Sequence, residues 1–289
     1  MYPAQFEYEK AGSVSDAIDA LSSNPEAELI AGGHSLLPTM KSGLADPDML
    51  VDIGDVDELH GIDHGDGSTR IGAMVRYADV ADDDTLREEA EVFAETAHQI
   101  GDFQVRNRGT VGGNIAHADP ASDLPGAVLA ADATMHVAGP DSERTVDADD
   151  FFHGMYATDV GEDELLTAVE VPHEGTAGAY AKKPNPASGY ALVGVAVRLT
   201  MDGDTVTDAR IGANGVMDHG TRLPDAEDAI EGTSLSADSI EAASDAAGST
   251  LDEYMVMEDQ QASAEFRLQL LSAYTGRALE QAGERAGVL

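Results

Sequence analysis

Two short glycine-rich segments hold residues that could bind a phosphate group through the backbone. Residues 31–35 read AGGHS, and residues 110–114 read TVGGN. Both segments stand beside short apolar runs, as loops at the ends of strands do. Glycine permits positive φ and a close approach to a ligand, so successive amide N–H groups can converge on phosphate oxygens. Together the two segments predict a cradle for a pyrophosphate group.

Several familiar catalytic signatures are absent from the sequence. There is no Cys, which excludes disulfides, thiolate nucleophiles and iron–sulfur clusters held by this chain. The patterns GxGxxG, GxxxxGK[ST] and GxSxG do not occur. The nine histidines are scattered, and polar loop chemistry is the simpler interpretation of His34 and His117. We therefore expect no catalytic side chain and no metal site, and any iron–sulfur cluster would belong to another subunit.

The charge of the chain is strongly negative. It has 55 acidic and 16 basic residues, a net charge of −39, and lysines only at positions 10, 41, 182 and 183. Such a charge destabilises a compact chain by self-repulsion, whereas in molar salt the Debye length falls to about 3 Å. These features are typical of a halophile with a salt-rich cytosol. Nucleic acid and anionic membranes are not expected as partners, because they bind clustered lysines and arginines.

The hydrophobic pattern divides the 289 residues into three units. The first, about 1–55, reads as strand, helix and strand, with Ser13 as an N-cap. The second, about 56–175, and the third, from about 178, each mix helices and strands. Specific predictions are a helix over 14–21, a polar turn over 61–66, helical segments over 77–101, strands over 127–137 and 164–171, a hairpin over 190–213, and helices over 225–230, 236–246 and 264–282.

Longer stretches around the glycine segments resemble a known family. AGGHSLLP at 31–38 and TVGGNIAHADPASDLP at 110–125 resemble the two flavin loops of the FAD-binding subunit of aerobic carbon monoxide dehydrogenases, within the xanthine dehydrogenase family. Residues 180–194 are similar to the start of that family's C-terminal domain. The order, the spacing and the chain length agree, so the resemblance covers essentially the whole chain.

The resemblance implies an α+β fold of the vanillyl alcohol oxidase type. Two subdomains, about 1–55 and 56–175, would form the FAD-binding domain (1–175) and hold FAD between them. A C-terminal α+β domain of the carbon monoxide dehydrogenase flavoprotein type would cover 178–285.

The resemblance also implies which residues surround the FAD. The pyrophosphate would rest on backbone amides of the first segment, and the second segment would complete the phosphate and ribityl contacts. Tyr190 would lie against the isoalloxazine ring, Asp123 would face the cofactor, Lys182 would lie near it, and three leucines would line its apolar flanks. The expected set is Leu29, Ala31, Gly32, Gly33, His34, Ser35, Leu36, Thr110, Gly112, Gly113, Asn114, Asp123, Leu166, Lys182 and Tyr190.

Simpler interpretations exist for several of these residues. Asp123 reads as a helix N-cap, Lys182 as a surface charge, and Tyr190 as the first residue of a strand with an exposed hydroxyl. Ordinary core packing explains the leucines nearly as well. The sequence also departs from the family at residues 184–189, where PNPASG replaces a stretch that is usually basic and ends in Asp.

By this resemblance the chain is an oxidoreductase, the electron-transfer subunit of a carbon monoxide or xanthine dehydrogenase-like molybdenum hydroxylase. Electrons would pass from a molybdopterin large subunit through a 2Fe-2S small subunit to FAD and then to an external acceptor, in a heterotrimer that dimerises. Two alternatives stay open, a stand-alone flavin oxidoreductase of the same fold and a flavin-free scaffold or assembly subunit. The N-terminus lacks a signal-peptide pattern and no apolar run approaches membrane-spanning length, so we expect a soluble, cytoplasmic protein.

Overall fold

The first unit is a small parallel sheet with a helix between its strands. The computed structural model describes residues 2–173, 175 and 177–289. The unit contains β1 (Glu7–Lys10), α1 (Val14–Ser23), β2 (Ala27–Ile30), α2 (Leu36–Ser42) and β3 (Met49–Asp52). The strand order is β1-β3-β2, and both pairs are parallel. The Ser13 side chain accepts a hydrogen bond from the Asp16 amide at 3.0 Å, so the predicted N-cap is confirmed.

The second unit is a five-stranded antiparallel sheet covered by helices. Its strands are β4 (Ile62–His64), β5 (Ser68–Gly72), β6 (Thr134–Ala138), β7 (Glu143–Asp147) and β10 (Leu165–Pro172), in the order β4-β5-β10-β6-β7. Its helices are α3 (Tyr77–Asp82), α4 (Asp84–Glu89), α5 (Glu91–Gln99), α6 (Phe103–Arg106), α7 (Val111–His117) and α8 (Leu124–Ala131). A separate pair, β8 (Phe152–Gly154) and β9 (Ala157–Thr158), precedes β10. The core lies between the sheet and the helices and includes Phe93, Ile115 and Met135.

Two sequence predictions in this unit are wrong. Residues 127–137 are not one strand, because α8 continues to Ala131 and β6 begins at Thr134. Every residue of α8 is buried, so the helix has no polar face and its 3.6-residue period is hidden in the sequence. Residues 62–64 form an edge strand on β5, with Ile62 opposite Ile71, where a polar turn was expected. That strand depends on pairing with β5, which its polar sequence does not reveal.

The third unit is a four-stranded antiparallel sheet with three helices. It contains β11 (Ala177–Pro184), β12 (Ala191–Asp202), β13 (Thr205–Asn214), β14 (Thr221–Arg222), α9 (Pro224–Ile230), α10 (Ala237–Ala246) and α11 (Ala264–Ala286), and its strands lie in chain order. The predicted hairpin and the three predicted helices are confirmed. Within the part of the chain that the structure describes, no helix has the length and hydropathy needed to cross a membrane.

The second and third units meet at a contact between two backbones. Gly126 in α8 lies against Gly212 in β13, and a Cβ built on Gly212 would stand 2.1 Å from the Gly126 carbonyl oxygen. Elsewhere Arg285 of α11 binds Glu95 of α5, with two N–O distances of 2.8 Å. The interface between the units therefore combines close backbone packing with an ion pair.

Candidate functional site

The first glycine segment connects β2 to α2. Gly33 has a φ of +73°, a left-handed conformation that glycine adopts readily. Among the hydrogen bonds of the described residues, the amides of Gly32, Gly33, His34 and Ser35 have no protein acceptor, whereas the Leu37 amide donates to the Gly33 carbonyl. Four successive N–H groups are therefore available to an anion.

The second glycine segment is not the loop at the end of a strand that the sequence predicts, because it follows α6 and its glycines lie in the first turn of α7. Its hydrogen bonds differ from those of the first segment. Thr110 is the N-cap of α7, and its hydroxyl accepts from the Gly113 amide at 3.2 Å. The amides of Val111, Gly112 and Asn114 donate to the carbonyls of Val75, Ala73 and Thr110. A Cβ on Gly112 would stand 2.4 Å from the Ala73 Cβ, so this glycine allows a close approach of two segments. The phosphate and ribityl contacts expected of Thr110, Gly113 and Asn114 stay predictions.

The fold brings the two glycine segments into contact. The Arg108 Nε donates to the Gly32 carbonyl at 3.2 Å. A Cβ on Gly32 would stand 2.6 Å from the Arg108 carbonyl oxygen, and one on Gly113 would stand 3.4 Å from the Ala31 Cβ. Segments from two different units thus form one continuous surface beside the available amides.

Tyr190 lies beside the first segment, immediately before β12. It is 41% exposed. Burial raises the pKa of its hydroxyl, the Asp119 carboxylate raises that pKa further, and the nearby Ser35 side chain opposes the rise. A partly exposed aromatic side chain therefore lies near Ser35 of the first segment.

Asp123 and Lys182 form a buried ion pair between the second and third units. Their side chains are 5% and 7% exposed, and the Lys182 Nζ lies 3.1 and 3.0 Å from the two carboxylate oxygens. Burial raises the pKa of the Asp123 carboxyl, while the Lys182 ammonium and the Tyr180 hydroxyl oppose that rise. The interpretation of Lys182 as a surface charge is therefore wrong. Asp123 does stand at the N-cap position of α8, but its side chain makes no capping hydrogen bond and binds Lys182 instead.

A second set of partly buried polar contacts holds the side chain of Asn114. Its Nδ2 donates to the Tyr77 hydroxyl at 2.9 Å, and its Oδ1 accepts from the Ser122 hydroxyl at 2.6 Å. Burial raises the pKa of Tyr77 well above its ordinary value. Tyr77, Ser122 and Tyr180 were not among the predicted site residues. The partners of Tyr77 and Tyr180 lie 37 and 57 positions away along the chain, and no local pattern marks the bond between Ser122 and Asn114.

Two family models together match almost the whole chain. Residues 4–174 match the family described as the FAD binding domain in molybdopterin dehydrogenase, and residues 178–282 match the CO dehydrogenase flavoprotein C-terminal domain. The chain belongs to the family of FAD-binding medium subunits of molybdopterin dehydrogenases. The expected fold class and cofactor, an α+β fold and FAD, are thereby confirmed.

Individual relatives match over almost their full length. The carbon monoxide dehydrogenase medium chain of Hydrogenophaga pseudoflava is 36% identical over 99% of both chains. The nicotine 6-hydroxylase medium subunit of Paenarthrobacter nicotinovorans is 34% identical over 96% of this chain and 97% of its own. Among solved structures, the carbon monoxide dehydrogenase of Hydrogenophaga pseudoflava that lacks the Mo-pyranopterin moiety has a TM-score of 0.94, with 36% identity and 99% of both chains covered. The quinoline 2-oxidoreductase of Pseudomonas putida 86 has a TM-score of 0.93, with 32% identity and the same coverage.

The residues of this medium subunit fit the chemistry of FAD. The four available amides suit a pyrophosphate, because they bind an anion without cationic side chains. His34 is exposed, and Leu29 and Leu36 are half-buried beside the first segment. Leu166, by contrast, is only 3% exposed within the core of the second unit. Contacts of the three leucines with the cofactor stay predictions.

Proposed function

We propose that this medium subunit transfers electrons within a molybdenum hydroxylase. The observation that carries the proposal is the set of four available amides in the first glycine segment, which contacts the second segment and lies near Tyr190. FAD would supply the redox chemistry by accepting electrons from one redox centre and passing them to another. The protein would bind the pyrophosphate, orient the ring system and set its exposure to solvent.

The partners of the proposed complex follow from the sequence of the chain and the names of its relatives. Because this chain has no Cys, it cannot hold iron–sulfur clusters through thiolates. A small subunit with 2Fe-2S clusters would deliver electrons, and a large molybdopterin subunit would oxidise the substrate, in a heterotrimer that dimerises. The names of three relatives refer to nicotine, glyceraldehyde and carbon monoxide as substrates. Medium subunits of one fold therefore belong to enzymes that act on different substrates. We place the complex in the cytoplasm and its final electron acceptor outside this chain.

The decisive experiment is an absorption spectrum of the purified chain in molar salt, with the released cofactor identified by mass. We expect two flavin bands and one FAD per chain. A chain that stays colourless after incubation with excess FAD would contradict the proposal and favour the scaffold subunit. Oxidation of an organic substrate by the isolated chain would instead favour the stand-alone flavin oxidoreductase.

Stability should depend strongly on salt. With a net charge of −39, the acidic side chains repel one another. The range of that repulsion falls from about 10 Å at 0.1 M salt to about 3 Å at 1 M. Lowering KCl from about 2 M to 0.1 M should therefore reduce the Tm by about 10 °C or more. Thermal unfolding followed by circular dichroism measures the change, and sucrose of equal osmolarity in place of the salt is the control. An unchanged Tm would show that the acidic surface is not an adaptation to salt.

A further inference from the structure

Residues 185–190 form a closed turn between β11 and β12. The Asn185 amide donates to the Tyr190 carbonyl at 2.7 Å, and the Gly189 amide donates to the Asn185 carbonyl at 2.9 Å. Gly189 has a φ of +78°, which residues with a Cβ rarely adopt. These hydrogen bonds join residues of the turn to each other and not to the rest of the protein. Contacts where the turn meets β11 and β12 therefore fix its position relative to the first glycine segment.

One of those contacts comes from a buried ammonium group. The Lys182 Nζ donates to the Gly189 carbonyl at 3.2 Å and to both carboxylate oxygens of Asp123. An ammonium group has three N–H donors, and these three contacts use them all. The side chain is therefore bonded entirely within the protein.

The Asp123 carboxylate is itself fixed in place. The Tyr180 hydroxyl donates to its Oδ1 at 2.5 Å, and the side chain is 5% exposed. Asp123 belongs to the second unit, whereas Tyr180 and Lys182 lie on β11 of the third unit. Two charges buried at an interface keep their positions only while each has its partner. The pair thus links the second unit, which carries the second glycine segment, to the turn that carries Tyr190.

We propose that Lys182 is a positioning residue. Held by Asp123, it fixes the Gly189 carbonyl and so places the ring of Tyr190 beside the first glycine segment, where that ring meets the flavin. This role differs from that of a direct cofactor ligand. The flavin part of the proposal rests on the proposed function, whereas the anchoring of the turn does not.

The first test uses the flavin-free chain in molar salt. Lys182→Met alone would leave a buried carboxylate without its partner, so the variant is the pair Asp123→Asn with Lys182→Met. We expect amide hydrogen exchange over residues 185–190 to become about tenfold faster, as for the loss of one or two hydrogen bonds. Lys183→Met is the matched control, because Lys183 neighbours Lys182 on β11 and is outside these contacts. Its exchange should match that of the wild type.

A second variant covers the case in which the paired substitution does not fold. Tyr180→Phe removes one hydrogen bond from Asp123 and leaves both charges in place. It should accelerate exchange over the same residues by about threefold, in line with the modest net energy of a single hydrogen bond. Wild-type exchange in the folded variants would overturn the proposal.

The second test asks whether Lys182 acts through Tyr190. The paired variant and Tyr190→Ala should each weaken FAD binding about tenfold and shift the flavin absorption bands, and the triple variant should bind no more weakly than Tyr190→Ala. Effects that add up would mean that Lys182 acts on the flavin independently and would overturn the proposal. If wild-type chain binds no FAD while exchange still accelerates in the paired variant, the proposed function fails and the anchoring of the turn stands.

Discussion

Replacing Gly32 by alanine should weaken FAD binding by about 100-fold. The added methyl group would stand 2.6 Å from the Arg108 carbonyl oxygen and 3.1 Å from the Gly109 Cα. Both neighbours are backbone atoms, so the two glycine segments would have to move apart and the four available amides would lose their position. Overpacking of this kind costs about 1–3 kcal/mol, and each 1.4 kcal/mol changes the Kd about tenfold. Titration of the flavin-free chain with FAD, followed by flavin fluorescence, measures the effect.

The control for this prediction is Gly67→Ala. A Cβ on Gly67 would meet nothing within 4 Å, so the same chemical change in another turn should leave the Kd unchanged. Gly112→Ala provides an independent variant, because its methyl group would stand 2.4 Å from the Ala73 Cβ and displace the second segment. Circular dichroism of the flavin-free variants separates lost binding from lost folding. A folded Gly32→Ala protein with the wild-type Kd would contradict the role given to the first segment.

Replacing Gly212 by valine should destabilise the protein by about 3 kcal/mol or more. The new side chain would begin 2.1 Å from the Gly126 carbonyl oxygen and 3.2 Å from the Ala130 amide nitrogen. Because both lie on α8, relief of the clash must separate that helix from β13 and open the interface between the second and third units. We therefore expect urea unfolding in molar salt to change from one transition to two as well.

The matched control lies on the hairpin between β12 and β13. Gly203 has a φ of +64°, and a Cβ at this position would meet no atom within 4 Å. Asn tolerates that backbone conformation better than most other residues do. Gly203→Asn should therefore unfold as the wild type does. If Gly212→Val had the same free energy of unfolding as the wild type, the prediction would be wrong. The second and third units would then tolerate separation, and their contact would not be a main source of stability.

Local patterns were sufficient for some elements of this chain and not for others. Features within a few residues of each other predict the N-cap at Ser13, the 190–213 hairpin with its turn at 202–204, and the three C-terminal helices. The prediction failed where burial removed the local signal. Every residue of α8 is buried, so the helix has no alternation of polar and apolar residues. Without that alternation, the hydrophobic pattern cannot distinguish a helix from a strand.

The candidate site was predictable in part for the same reason. Glycine pairs are typical of loops because of their backbone freedom, and this prediction is right for residues 31–35. It is wrong for residues 110–114, because Gly112 and Gly113 lie in the first turn of α7. The sequence did not show which of the two segments has backbone amides available to a ligand. Only the hydrogen bonds show that the first segment has available amides and that those of Val111, Gly112 and Asn114 are bonded within the protein.

Residue types and short spacings were enough to identify the glycine segments, the acidic charge and the resemblance to the family, and the resemblance implied FAD. Only the folded chain shows that Gly32 touches Arg108, that Lys182 is buried against Asp123, and that Tyr190 lies near Ser35. Such contacts join residues separated by tens to more than a hundred positions. They arise from the packing of three units against one another, and neither residue of a pair carries a local signal of its partner.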